Sequence, residues 1–200
     1  MNQSGTQGWL LEPVGLLALC PLLIAAGTLL QAVCIALLFL LSLILVALTM
    51  AALGRTIAPD FRILTLLLIS GVWVTLLDLL LQAFAYSLWV ALGIYLPLLA
   101  VNSLLLAVGE QSLRCEGGKF SVLAAMMPGV YSVIWLVPLG LIREILGTGA
   151  LLSDSQLLPG LPDPVVITTF TLPVLQTAPG ALLSLALAGA WFAGRAPARI

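Results

Sequence analysis

The chain has 200 residues, 62% hydrophobic and only 8% charged, with a formal net charge of −1 and a mean hydropathy of +1.23. Soluble domains carry about a quarter charged residues, and the apolar runs here are long enough for the roughly 20 residues that cross a hydrocarbon layer, so a soluble enzyme is excluded and a polytopic membrane protein is predicted. The scattered basic residues argue against nucleic acid as a partner, and the absence of histidine excludes histidine-based triads, imidazole zinc sites and Rieske-type clusters within this chain.

In chain order, the segment before the first apolar run, Met1 to Gly8, has no basic residue. A cleaved secretory signal is therefore not expected, and the first span is read as retained. That span covers about Leu10 to Leu30 and carries Leu19-Cys20-Pro21-Leu22-Leu23, where a proline removes a donor and kinks or breaks a helix. After a very short link near Gln31, a second span covers about Ala32 to Leu53. A polar turn from Gly54-Arg55 to Asp60-Phe61-Arg62 stops it. The third span is about Ile63 to Ala83. A tight turn near Tyr86-Ser87 leads to the fourth, about Leu88 to Val108, interrupted at Leu96-Pro97-Leu98-Leu99 and followed by Asn102-Ser103. Glu110 to Lys119 is the most polar connection. The fifth span, about Phe120 to Ile142, ends at Arg143-Glu144, and Gly147 to Pro164 reads as an exposed loop. The sixth span covers about Leu172 to Ala193, with Pro179-Gly180 near its entrance.

The predicted fold is thus an all-α integral membrane protein of six transmembrane helices forming one domain over residues 1–200. Proline-interrupted spans at matching places in two halves point to inverted three-helix repeats, about 10–84 and 88–194, with helices 1 and 4 broken near the bilayer midplane. In this arrangement Arg55, Arg62, Arg114, Lys119, Arg195 and Arg199 fall on one side and only Arg143 on the other. Basic residues concentrate on the cytoplasmic side, so both termini are placed in the cytoplasm.

Five residues stand out as candidates. Cys20, beside a helix break, is either a thiolate ligand to a soft metal centre or a small buried hydrophobe. Asn102 and Ser103 either cap backbone freed at the Pro97 break or line an ion path. Asp78, an acid within the third span, is a functional candidate by default, although at its depth it could reach the interface. Glu110, at the cytoplasmic end of the fourth span, reads as solvated. Arg143-Glu144, ending the fifth span on the outer side, reads as a local ion pair with helix-end interactions. Cys34 and Cys115 look inert, and the three cysteines form no CxxC pair. Trp9, Trp89 and Trp191 lie near span ends, as interfacial anchors do.

Three stretches carry a resemblance: Leu17-Ala18-Leu19-Cys20-Pro21-Leu22-Leu23, the run from Leu92-Gly93-Ile94-Tyr95 through Asn102, and Arg143-Glu144-Ile145-Leu146-Gly147-Thr148-Gly149. With them the chain resembles the paired membrane subunits of the Rnf and Nqr redox-driven ion pumps. It looks most like the E-type subunit of the Rnf electron transport complex, with the D-type subunit of Nqr the nearest relative. The resemblance implies an A-type sister subunit of opposite topology, together with flavin- and iron–sulfur-bearing partners. It also implies a [2Fe-2S] cluster at the pair's pseudo-twofold axis, two cysteines from each subunit, passing electrons across the bacterial inner membrane. The complex would couple ferredoxin and NAD redox chemistry to Na+ or H+ movement, this chain being a conduit rather than a site of hydride chemistry. Cys20 matches the first ligand of that pattern, but Ser103 stands where the second cysteine is expected. Ala107 and Val108 replace the usual Gly and Arg, while Glu110 matches. A cluster-less structural or transport paralogue of the same fold is the alternative.

Overall fold

A computed structural model of the chain describes residues 19–53, 56–114, 118–154, 165–166 and 171–193. The first part of the predicted first span, Trp9, Cys115, Arg55, Arg195, Arg199, the Trp191 side chain and most of the predicted exposed loop lie outside the described residues.

The described chain is mostly helical. Helix α1 is Cys20–Ala25 and α2 is Leu29–Leu53. A 3-10 turn at Pro59–Phe61 leads into α3, Arg62–Phe84. Then come α4 (Tyr86–Leu92), α5 (Tyr95–Leu98), a 3-10 turn at Leu99–Val101, and α6 (Ser103–Arg114). Helix α7 runs over Gly118–Thr148. Strands β1 (Ala150–Leu151) and β2 (Val165–Val166) pair antiparallel, Ala150 opposite Val166. A 3-10 turn at Pro173–Gln176 precedes α8, Ala178–Ala193.

Among the described residues, three helices are long and apolar enough to cross a bilayer: α2, α3 and the Met126–Thr148 part of α7. At about 1.5 Å per residue, the 25 residues of α2 reach beyond a hydrocarbon core of about 30 Å. The bent pair Tyr86–Leu92 and Tyr95–Ser112, turned by 67°, passes the same test when taken together. Helix α8 has 16 residues and falls short of that thickness by the same arithmetic.

Helix α2 is the centre of the packing, set mainly against α7 and also against α6 and α3. Its buried positions, Ala32, Ile35, Ala36, Phe39, Leu43, Val46, Ala47 and Met50, recur at three- and four-residue steps and form one face of a 3.6-residue helix. Small residues set the approach of its neighbours. A Cβ built on Gly140 of α7 would lie 2.5 Å from the Ala32 Cβ, and one on Gly129 would overlap Leu40. Buried Ser42, Ser112 and Ser132 each donate to a carbonyl within the preceding turn, which keeps their hydroxyls satisfied inside an apolar bundle. The opposite face of α3, with Ile63, Leu64, Leu68, Val72 and Leu79 exposed, is the apolar surface expected of a helix facing lipid or another membrane protein.

Several boundaries differ from the sequence reading. The link after the first span is Ala26-Gly27-Thr28, so α2 begins at Leu29 and Gln31 lies in its first turn. Pro21 sits in the first turn of α1, where its missing N–H goes unused. In the second motif the interruptions flank Pro97: Gly93, at φ +49°, separates α4 from α5, and extended Asn102 separates the 3-10 turn from α6. A positive φ of that kind suits glycine because it has no Cβ. The fifth helix does not end at Ile142. It carries Pro128 and Pro138 inside and continues through Arg143 and Glu144 to Thr148.

Candidate functional site

The two proline motifs meet, with α1 packed against α5. Around that contact the chain interrupts its helices twice, and each interruption leaves backbone groups that a bilayer would not hydrate.

The first interruption is the Ala26–Thr28 link. Arg143 of α7, only 1% exposed, donates from Nη1 to the carbonyls of Leu23 and Ala26 at the end of α1. The same guanidinium turns its other edge to the 3-10 segment before α8, with Nε donating to Leu175 O at 3.0 Å and Nη2 to Gln176 O at 3.3 Å. Glu144 is fully buried. Its Oε2 accepts the Leu29 N–H at 3.0 Å, an orphan donor at the start of α2. Its Oε1 accepts both the N–H and the hydroxyl of Ser153, each at 2.7 Å.

Of the two expectations for these neighbours, the local ion pair is therefore corrected, while interactions with helix ends are found, at the ends of other helices than their own. Each charge is directed at backbone, the cation at a helix C-terminus and the anion at a helix N-terminus, the signs the helix dipole favours. The planar fork of arginine, with five donors, suits a place where carbonyls converge from two segments.

Next to this pair, Asp154 Oδ2 accepts from Thr28 Oγ1 at 3.0 Å and from Gln31 Nε2 at 2.9 Å. Gly27, Thr28, Gln31, Thr148, Ser153, Asp154 and Gln176 line a cleft of about 350 Å³. Gly149 (φ +70°) and Leu152 (φ +57°) turn the chain back after α7, bringing Ser153 and Asp154 over the link. The loop predicted as exposed thus begins as a half-buried cover.

At the second interruption, Asn102 is 3% exposed, and its Oδ1 accepts the Leu104 N–H at 2.9 Å, capping α6. The Ala100 carbonyl accepts from Ser70 Oγ of α3 at 2.9 Å. Ser103, the first residue of α6, is exposed, and Cys20, the first residue of α1, is half-buried against the core. Asp78, half-buried on α3, accepts the Trp89 indole N–H at 2.9 Å, so the tryptophan predicted as an interfacial anchor is tied to the acid of the third span. Glu110 lies exposed on α6. Sequence reasoning missed Thr28, Gln31, Ser70, Ser153 and Asp154. The one available signal was the pair of adjacent opposite charges next to an apolar helix, since ionisable residues inside a span mark function by default.

A family model described as "Rnf-Nqr subunit, membrane protein" matches residues 12–189. Proteins named as the E subunit of the ion-translocating oxidoreductase complex are similar along much of the chain. That of Rhodobacter capsulatus is 37% identical over 145 residues, 72% of this chain and 60% of the relative. That of Thioalkalivibrio sulfidiphilus is 31% identical over 180 residues, 90% and 77%. That of Aliivibrio fischeri is 33% identical over 147 residues, 74% and 65%. The matches thus span 60% to 77% of these relatives' own lengths.

Proposed function

This chain belongs to the Rnf-Nqr family of membrane subunits, and on that premise we propose that it is the E-type membrane component of an Rnf-type ion-translocating oxidoreductase complex. The observation that carries this reading is the match to E-type relatives over most of the chain. The chain would sit in a bacterial inner membrane beside an A-type sister subunit and flavin- and iron–sulfur-bearing subunits, coupling electron passage to Na+ or H+ movement. Six spans in two inverted repeats are proposed for it. Supporting this are the three span-length helices, the bent pair as a fourth, and α1 and α8 as the described parts of the first and sixth. Cytoplasmic termini follow from the six-to-one distribution of basic residues. Asp78 and Glu110 are the proposed contributions to an ion path, with Asn102 holding the backbone at its edge.

Among the described residues, Cys20 is the donor that fits the implied [2Fe-2S] group. Cys20 offers a thiolate at a half-buried helix start, as a ligand shared across an intersubunit contact requires. Ser103 is exposed at the start of α6, but its hydroxyl is a harder donor than the thiolate that such iron favours. Cys20, with Ser103 as a weak companion, would form this chain's half of the holding set, and the bound group would supply one-electron transfer. The serine is also the observation favouring the second reading, a paralogue that keeps the fold without the cluster.

Iron content and EPR of the purified complex separate the two. A [2Fe-2S] signal absent from Cys20→Ala and altered in Ser103→Cys supports ligation by this chain. A cluster-free wild type that gains a signal only in Ser103→Cys supports the paralogue.

A further inference from the structure

Arg143 is buried between two segments that are far apart in sequence. One edge of its guanidinium takes the carbonyls of Leu23 and Ala26, which close the helix that begins with Cys20. The other edge takes those of Leu175 and Gln176. The second segment is also pinned to the last turn of α7, where the Leu172 N–H donates to Leu146 O at 2.9 Å. Gly147 leaves room for it, since a Cβ there would come within 2.6 Å of Gln176 Cγ. Gly180, in the first turn of α8, is enclosed by the same segment, and a Cβ would overlap Val174 O and stand 2.5 Å from Leu175 Cα. A displacement of the segment by a few tenths of an ångström therefore moves two of the carbonyls that orient the guanidinium. The other two hold the end of α1, less than two turns from Cys20 Sγ along a helix of six residues.

We propose that Arg143 is a positioning residue for Cys20, fixing the Cys20 helix against the segment Leu172–Gln176 so that the entrance to the last helix and the thiol move as one. Its importance for electron passage rests on Cys20 being a ligand as read above. The mechanical link does not, because the thiol, once free of iron, reports on it directly. Arginine is needed rather than any cation, since lysine's single ammonium lacks the planar fork that serves both segments. The link is a contiguous set of hydrogen bonds with one shared member, the physical basis on which coupling between sites is argued.

The test uses the whole complex in membranes, treated with an iron chelator so that Cys20 carries no metal in any variant, and measures alkylation of Cys20 by a membrane-permeant maleimide. The modified peptides are quantified by mass spectrometry, with Cys34 on α2 as internal reference. Gly180→Ala disturbs the segment while leaving Arg143 in place, and Arg143→Lys removes the fork. Each is expected to change the Cys20 rate roughly three- to tenfold with Cys34 unchanged, and the double variant is expected to match the larger single effect instead of their product. An unchanged Cys20 rate in Gly180→Ala, multiplying effects in the double variant, or Cys34 shifting in step with Cys20 overturns the proposal. Gly147→Ala, which crowds Gln176 from the α7 side, gives the same reading if Arg143→Lys fails to assemble. If EPR finds no cluster but the alkylation pattern holds, the functional reading fails and the positioning role stands.

Discussion

The two helix interruptions meet the same requirement by different means. At Asn102 the donors and acceptors are neutral and near in the chain. The residue caps its own following helix, and Ser70 of α3, 30 residues back, covers Ala100 O. At Ala26–Thr28 they are charged and come from 115 to 120 residues away. A local cap of the first kind costs little to form and is replaceable. The second kind buries an arginine and a glutamate that are tolerable only while every partner is in place, because removing a partner of a buried charge costs far more than the interaction contributes net. The link beside Cys20 is therefore the more rigid and the more fragile of the two.

Arg143→Met should break this contrast most severely. It removes the arginine donors from four carbonyls, of which Leu23 O keeps the Ala26 N–H, and leaves Glu144 without a nearby compensating charge, so a loss of about 3–5 kcal/mol is expected, seen as failure to recover folded protein or a large drop in Tm in detergent. Glu144→Gln should follow, since an amide keeps one acceptor where three bonds are now received. A cost of about 1–3 kcal/mol is expected and is readable in the same unfolding assay. Gly140→Ala tests the packing that presents the pair to the link. Its Cβ would collide with Ala32, and overpacking of this sort costs about 1–3 kcal/mol, whereas Gly71→Ala meets nothing within 4 Å and should leave Tm unchanged. Asn102→Ala should be the mildest at a break, about 1 kcal/mol for a lost cap. If it proves as damaging as Arg143→Met, the distinction between a local and a long-range seal fails.

The sequence by itself determined that the chain is a helical membrane protein, and its proline and Arg-Glu motifs were enough to indicate the family. Transfer of long apolar runs into lipid depends on composition, and internal hydrogen bonding makes helices the response to it. It also indicated Asn102 as a capping candidate, because an Asx cap is a local interaction. It placed Arg143 and Glu144 at a helix end because hydropathy falls there, although the helix continues to Thr148. Whether a charged pair ends a span or is buried within one depends on what the remainder of the fold brings to it. Only the tertiary structure brought the Leu23, Ala26, Leu175 and Gln176 carbonyls around one guanidinium, and Ser153 and the Leu29 N–H to one carboxylate. It likewise set Asp154 on Thr28 and Gln31, an acid from a loop that composition marks as exposed. Those partners are separated by most of the chain, and no local pattern encodes a hydrogen bond between segments that meet only after the helices have packed.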